Sequence, residues 1–142
     1  MAFLGRSNVG KSSLLNALLP PGLTARVGKA PGATASVDMF GLSAPSGKLK
    51  FCLTDLPGYG FAKMSREKQK SLSALSAGFL RSEGCLAICL LLVDLRRGAL
   101  DADRETVEGL YEMGAAVCVV GTKSDKFQSV EARDRATLTC GG

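Results

Sequence analysis

Gly5-Arg6-Ser7-Asn8-Val9-Gly10-Lys11-Ser12 is the stretch that decides the fold, because it fits the pattern G-x-x-x-x-G-K-[ST]. Glycines in this pattern let the backbone wrap around a phosphate with its N–H groups pointing inward. An apolar strand precedes the stretch and an amphipathic helix follows it, so the helix N-terminus adds a positive partial charge. A glycine-rich turn with a chance lysine is the alternative. We predict a nucleotide site in which Lys11 reaches the β- and γ-phosphates and the Ser12 hydroxyl ligates Mg²⁺.

Short apolar runs alternate with amphipathic stretches along the rest of the chain. The predicted strands are Ala2–Leu4, Val37–Leu42, Leu49–Thr54, Leu86–Leu95 and Ala115–Gly121. The predicted helices are Lys11–Leu19, Arg66–Leu80, Asp101–Met113 and Val130–Leu138. This order predicts an α/β fold with a mostly parallel sheet, one antiparallel edge strand and flanking helices. The residues expected on the buried helical stripes are Leu14, Leu15, Leu18, Leu19, Leu72, Leu75 and Phe79.

Length and composition exclude several other classes. The 142 residues, 46% of them apolar, suffice for one domain with one core. The net charge of +5 suits a phosphate-rich partner but by itself indicates little beyond solubility. Because the chain has no histidine, a zinc site or a Ser-His-Asp hydrolase is effectively excluded.

The cysteines and apolar runs indicate a reducing compartment and no membrane segment. Five cysteines, an odd number without a C-x-x-C pair, are predicted to be reduced and buried. The longest apolar run, Leu86 to Val93, is too short to cross a bilayer, and the N-terminus lacks the regions of a signal peptide.

A second motif, Asp55-Leu56-Pro57-Gly58, follows directly from an apolar strand. An Asp at the carboxyl end of such a strand lies beside the phosphate loop in an α/β sheet. We predict that Asp55 holds Mg²⁺, through water, and that the Gly58 N–H meets the γ-phosphate. An ordinary strand-to-turn exit would give the same residues.

Thr122-Lys123-Ser124-Asp125 follows the last predicted strand. A carboxylate at Asp125 can accept two hydrogen bonds from guanine, from N1–H and the 2-amino group. Adenine lacks both donors, so a buried acid there would reject adenine. The aliphatic part of the Lys123 side chain would lie along the plane of the base. The alternative is a polar loop in which Asp125 is a solvated charge.

A hydroxyl in the Gly- and Pro-rich loop that follows the first helix is a further candidate. Thr34 could complete the Mg²⁺ shell when a γ-phosphate is present, which would make the loop a switch. An ordinary exposed threonine is the alternative.

Taken in order, these motifs resemble the EngB (YihA/YsxC) family of P-loop GTPases, which is related to the translation factors. The segments that carry the resemblance are Gly5 to Ser13, Pro31 to Thr34, Asp55 to Lys63, Asp94 to Arg96 and Thr122 to Asp125. The Asp-Leu-Pro-Gly-Tyr-Gly-Phe-Ala stretch is the most specific, and the resemblance spans nearly the whole chain. It implies a GTP-binding protein with slow hydrolysis that acts in large ribosomal subunit assembly and, in bacteria, is linked to cell division and septation.

The resemblance also implies which residues contact the ligands. Lys11 and Thr34 would be catalytic, and Ser12, Thr34 and Asp55 would serve Mg²⁺. The nucleotide contacts would be Gly5, Arg6, Ser7, Asn8, Val9, Gly10, Lys11, Ser12, Gly32, Ala33, Thr34, Ala35, Ser36, Asp55, Leu56, Pro57, Gly58, Thr122, Lys123, Ser124 and Asp125. Tyr59 stands where many GTPases carry the glutamine that orients water, which predicts slow hydrolysis without a partner or cation. Asn8 is a candidate K⁺ ligand, and bracing the phosphate loop is its alternative role.

The chain departs from the family at both ends and in the first loop. Residues 1–142 are expected to form one G domain that lacks the last guanine-binding loop, strand and helix, which would leave Ala115 to Gly121 as an exposed sheet edge. Ala33 and Ala35 replace the more usual Arg and Gln.

Partners and compartment follow from the same resemblance. The expected partners are a guanine nucleotide and the large ribosomal subunit, both rRNA and protein, with no DNA and no membrane. Basic residues that could meet rRNA phosphate, or form a merely solvated face, are Lys48, Lys50, Lys63, Arg66, Lys68 and Lys70. The expected location is the cytoplasm of a bacterium, or a mitochondrion or plastid of a eukaryote.

Three other functions stay open at this point. The chain could be a nucleotide-gated binding module with negligible hydrolysis, which Tyr59 favours. It could be a non-functional fragment of such a GTPase. An ATP-using enzyme is the weakest of the three, because it would leave Asp125 unexplained.

Overall fold

A computed structural model describes residues 1–25, 36–43, 46–59, 66–81 and 88–140. Its strands are β1 (Ala2–Gly5), β2 (Asp38–Ser43), β3 (Leu49–Asp55), β4 (Cys89–Asp94) and β5 (Val117–Thr122). Its helices are α1 (Lys11–Leu18), α2 (Arg66–Arg81), α3 (Asp101–Glu112) and α4 (Val130–Cys140), and Ser124–Lys126 form a short 3₁₀ turn. The predicted order of strands and helices is confirmed, and the α/β fold class with it.

The strands form one mixed sheet in the order β2-β3-β1-β4-β5. The β2–β3 pair is antiparallel, whereas β1 pairs in parallel with β3 and β4, and β4 with β5. The register sets Phe3 beside Asp55 and Asp94 beside Thr122. The carboxyl ends of the four parallel strands therefore meet at one edge of the sheet, which is where ligands bind in such folds.

Alternate residues of the central strands face two separate cores. Phe3 and Leu92 pack with Leu15 of α1 on one face. Leu4 and Leu91 pack with Leu110 of α3 on the other. Because both faces are covered by helices, β1 and β4 can be apolar at nearly every position, as their sequences are.

Three of the residues predicted to be buried are exposed. Leu18 is exposed because it lies in the last turn of the short helix α1, and the extended residue after it, Leu19, turns into the core instead. Leu75 of α2 is exposed, whereas Leu72 is buried on that helix. Cys118 is an exposed free thiol on β5, the edge strand of the described sheet, while Cys89 on the inner strand β4 is buried.

Candidate functional site

The loop between β1 and α1 depends on glycine at two positions. Gly5 has a φ of 155°, and a Cβ there would lie 2.8 Å from the Leu92 carbonyl oxygen of β4. Gly10, which precedes the first residue of α1, has a φ of 106°. Asn8 has a φ of 63°, a left-handed conformation that is uncommon outside glycine. The loop therefore has the sharply turned backbone that the phosphate-binding pattern predicts.

Lys11 and Asp55 lie together beneath this loop. The Lys11 ammonium donates a hydrogen bond to Oδ1 of Asp55, and both residues are buried, Asp55 completely. The Ser12 hydroxyl lies 3.4 Å from the other oxygen, Oδ2 of Asp55. Two predicted motifs that are 44 residues apart in sequence are thus in contact.

Ser12 and Asp55 also fit a magnesium ion chemically. Mg²⁺ prefers hard oxygen ligands and is commonly held by one or two protein side chains together with substrate phosphates and water. The Ser12 hydroxyl and the Asp55 carboxylate are such oxygens, next to each other at the base of the phosphate loop. Within the described ranges no group of three or more Cys, Asp and Glu side chains could hold a metal by itself.

The segment after Asp55 is bonded to the phosphate loop through its backbone. Leu56, which is fully buried, donates its N–H to the Phe3 carbonyl at 3.3 Å. Tyr59 donates its N–H to Gly5 at 3.3 Å and accepts the Ser7 N–H at 3.2 Å. Pro57 and Gly58 lie between these two anchored residues and are therefore held beside the phosphate loop.

The Tyr59 side chain reaches α3. Its hydroxyl donates to Oδ1 of Asp103 at 2.7 Å, and Oδ2 of that buried carboxylate accepts the Leu100 N–H at 2.9 Å. Burial, and then the hydrogen bond to Asp103, raise the pKa of the Tyr59 phenol well above its ordinary value. The residue in the position of the usual glutamine is thus a neutral, half-buried phenol that is hydrogen-bonded to α3.

The end of β5 and the residue that follows it are bonded to the phosphate loop through their side chains. Thr122 Oγ1 donates to the Val9 carbonyl at 2.7 Å and also lies 3.2 Å from the Val93 carbonyl. Lys123 Nζ donates to the Asn8 carbonyl at 2.7 Å. These contacts bring the predicted guanine loop, with Ser124 and Asp125, next to the predicted phosphate loop.

Replacing Thr122 by Val removes the hydroxyl while keeping the shape of the side chain. One neutral hydrogen bond contributes about 1 kcal/mol, so we expect GDP affinity to fall about three- to tenfold. Titration of fluorescent GDP measures this, with Thr122→Ser, which keeps the hydroxyl, as the control. Equal losses in the Val and Ser variants would show that the hydroxyl is not responsible.

Asp125 lies at the surface, in contrast to the buried acid described from the sequence. Its side chain is 67% exposed and pairs with Lys126 at 2.9 Å. The Lys126 hydrogen bond holds the pKa of Asp125 below its usual value. A base that bound here would itself have to exclude water from the carboxylate, because the protein around it does not.

Most of the predicted first switch loop lies outside the described residues, including Gly32, Ala33, Thr34 and Ala35. The two segments that border it are described. Asn16 of α1 exchanges two hydrogen bonds with the backbone of Ala25, at 3.0 and 2.5 Å. Ser36 donates to Asp38 at 2.8 Å at the start of β2. Asn16 was not singled out from the sequence.

Asp94 is a second residue that the prediction of site residues left out. It ends β4 and forms ion pairs with Arg96 at 2.7 Å and Lys123 at 2.9 Å. Hydrogen bonds from Arg96 hold the pKa of Asp94 well below its usual range, and the Lys123 hydrogen bond lowers it further. The signal in the sequence is an acid at the carboxyl end of a buried strand, the same signal that identified Asp55.

The described helices include none that is both long and apolar enough to cross a membrane.

Comparison with known proteins agrees with these motifs. The model of the 50S ribosome-binding GTPase family matches residues 1–123. A probable GTP-binding protein EngB of Bordetella pertussis is 40% identical over 130 residues, covering 89% of this chain and 62% of that protein. The protein of the same name from Natranaerobius thermophilus is 36% identical over 137 residues, covering 96% of this chain and 68% of that protein.

A solved structure shows the same likeness. The crystal structure of a probable GTP-binding protein EngB superposes with a TM-score of 0.72 at 27% identity, covering 96% of this chain and 77% of that one. The chain spans less than two thirds of the length of the Bordetella relative. The resemblance drawn from the motifs is confirmed: the chain belongs to the 50S ribosome-binding GTPase family and, within it, to the EngB proteins.

Proposed function

We propose that this chain is a guanine-nucleotide switch that binds GTP and GDP with Mg²⁺ and hydrolyses GTP slowly. The observation that carries the proposal is the convergence of three motifs at one sheet edge. Lys11 contacts Asp55, and Lys123 contacts the Asn8 carbonyl. A phosphate group and a guanine base, the two ends of one ligand, would each have a matching site within this edge.

In this proposal the phosphate contacts come from the loop backbone and from Lys11. The Lys11 ammonium, which pairs with Asp55 in the structure, would turn to the β- and γ-phosphates. Ser12, Asp55 and Thr34 would hold Mg²⁺, which neutralises phosphate charge when it is bound. The Gly58 N–H would meet the γ-phosphate, so the segment after Asp55 would respond to its presence.

Slow hydrolysis is the part of the proposal that rests on Tyr59. Its hydroxyl donates its proton to Asp103, so in this arrangement that proton is not offered to an attacking water. This contact also favours a second candidate function, a nucleotide-gated binding module with negligible hydrolysis. A K⁺ ion at Asn8, next to the phosphates, belongs to the proposal as the cation that would raise the rate.

Single-turnover hydrolysis of GTP, in KCl and in NaCl, separates these two functions. The switch proposal predicts slow, Mg²⁺-dependent release of phosphate that is faster in KCl. No phosphate release above the uncatalysed rate in either salt, from a chain that binds GTP, would establish the binding module instead. Equal rates in the two salts would remove K⁺ from the proposal.

Replacing Tyr59 by Phe tests whether the phenol takes part in hydrolysis. We expect the hydrolysis rate to stay within about twofold, while the free energy of unfolding falls by about 1.5–3 kcal/mol because a hydrogen bond to a carboxylate is lost. Single-turnover kinetics and urea denaturation measure the two effects. Tyr111→Phe, at the exposed tyrosine of α3, is the matched control. A tenfold slower reaction with unchanged stability would instead assign Tyr59 a role in the chemistry.

We further propose that the partner is the large ribosomal subunit during its assembly, with the bacterial link to cell division and septation that the family resemblance implies. The name of the family, 50S ribosome-binding GTPase, supports this partner, as do the exposed residues Lys48 and Lys70. Cosedimentation with 50S subunits in the presence of GTP or GDP tests it. We expect GTP-dependent binding that weakens as the salt concentration increases. Binding that depends on neither the nucleotide nor the salt concentration would contradict the proposal.

A further inference from the structure

The carboxylate of Asp94 has four hydrogen-bond donors around it. Oδ1 accepts the Arg96 backbone N–H at 3.1 Å and Arg96 Nε at 2.9 Å. Oδ2 accepts Arg96 Nη2 at 2.7 Å and Lys123 Nζ at 2.9 Å. Asp94 is only 9% exposed, so these contacts lie partly sheltered from water, where charge-assisted hydrogen bonds are strong.

Lys123 has acceptors on two different elements of the fold. Its ammonium contacts Asp94 at the end of β4 and the Asn8 carbonyl in the phosphate loop, 115 residues away in sequence. Lys123 has a φ of 61° and Asn8 a φ of 63°, so both have left-handed backbones. Such conformations persist where surrounding contacts determine them, and the contacts here connect the two residues directly.

A lysine side chain is flexible and loses rotamer freedom when it is held in place. A ligand that fixes a mobile Lys123 side chain loses binding free energy to this entropy cost. If the side chain is already ordered in the free protein, the ligand binds without that cost. Of the two acceptors, the carboxylate is the charged one. Asp94 is in turn held by bidentate hydrogen bonds from Arg96, so its position does not depend on Lys123.

We infer that Asp94 is a positioning residue for nucleotide binding: it holds Lys123 against the phosphate loop, ready to contact the base. The inference rests on the proposed function, because Lys123 is the residue expected to lie along guanine. It assigns the Asp94-Leu95-Arg96 segment a role in the nucleotide site that acts through Lys123 and without contact to the ligand.

The surroundings of Asp94 allow a substitution that tests this inference without disturbing the core. Asp94, Arg96, Lys123 and Asn8 all line a cavity of about 220 Å³ beside the phosphate loop. An isosteric Asp94→Asn change therefore alters charge at the wall of a cavity and leaves the packed core unchanged. Arg97, the next residue along, also lines the cavity but makes no contact with the Asp94 carboxylate among the described hydrogen bonds, which gives a control of equal charge.

The test is a double-mutant cycle on the dissociation rate of fluorescent GDP, chased with unlabelled GDP. We expect Asp94→Asn to speed dissociation about tenfold and Lys123→Met at least as much. The double variant should match Lys123→Met within about twofold, because Asp94 acts through that lysine. Arg96→Ala should speed dissociation less than Asp94→Asn does. Asp94→Glu, which keeps the charge, should also speed dissociation less than Asp94→Asn. Arg97→Ala should leave the dissociation rate unchanged.

Two results would overturn the inference. One is an Asp94→Asn variant that releases GDP at the parent rate. The other is a double variant whose loss is the product of the two single losses, which would mean independent roles. If Asp94→Asn fails to fold, the same cycle is run with Asp94→Glu, which should speed dissociation in the parent and have no effect in the Lys123→Met background. A parent chain that binds no GDP would instead contradict the proposed function.

Discussion

Asn in place of Asp125 will weaken GDP binding roughly a hundredfold and will improve binding of XDP, the xanthine counterpart. The carboxylate can accept two hydrogen bonds from guanine, each contributing about 1.5–3 kcal/mol because the acceptor is charged. We expect the lower part of this range, since Asp125 is 67% exposed before a ligand covers it. Xanthine carries an oxygen where guanine has its amino group, so the Asn amide can donate to it. Competition of GDP and XDP for the fluorescent nucleotide measures the change.

Lys126→Ala is the control for this substitution. It removes the surface partner of Asp125 without changing the carboxylate, and such exposed pairs contribute little. GDP affinity should therefore stay within about twofold. If Asp125→Asn bound GDP as well as the parent chain and gained nothing for XDP, Asp125 would not be the residue that selects the base.

Met in place of Lys11 will abolish measurable nucleotide binding and will also destabilise the ligand-free chain. The ammonium would contact two phosphates, so its loss should cost at least a hundredfold in GDP affinity. It also removes the cation beside Asp55, which is fully buried. Breaking a buried pair from one side costs about 3–5 kcal/mol of folding stability. Fluorescent-GDP titration and urea denaturation follow the two losses separately.

The double variant Lys11→Met/Asp55→Asn separates binding from folding. Replacing both partners removes the uncompensated charge, so we expect stability to recover substantially while GDP binding stays lost. Recovery of GDP binding in the double variant would show that Lys11 acts on the fold alone. Full stability of Lys11→Met by itself would contradict the buried ion pair.

The element order could be predicted because apolar periodicity records burial. β1 is apolar throughout, β4 is apolar except at its last residue, Asp94, and both are inner strands, whereas β5 lies at the edge of the described sheet. Periodicity cannot show which part of a helical stripe has a neighbour, so Leu18 and Leu75 were wrongly predicted to be buried. Cys118 was also wrongly predicted to be buried, although it lies in the segment Ala115 to Gly121 that was expected to form an exposed sheet edge.

The part of the site that could be predicted is the part whose residues belong to local sequence motifs. The contacts of Lys11 with Asp55 and of Lys123 with Asn8 join residues that the motifs had already named. The positions of Tyr59 and Asp94 depend on partners, Asp103 and Arg96, which the motifs do not include as ligand contacts. The surface position of Asp125 agrees with the alternative interpretation of its loop, in which the carboxylate is solvated.

The most direct test of the account is to titrate fluorescent GDP and fluorescent ADP, with Mg²⁺, into the folded chain. The convergence of Lys11, Asp55, Lys123 and Asp125 on one edge predicts that GDP binds and that ADP binds on the order of a hundredfold more weakly. Equal affinity for the two nucleotides, or no GDP binding by a chain that shows a cooperative unfolding transition, would contradict the account.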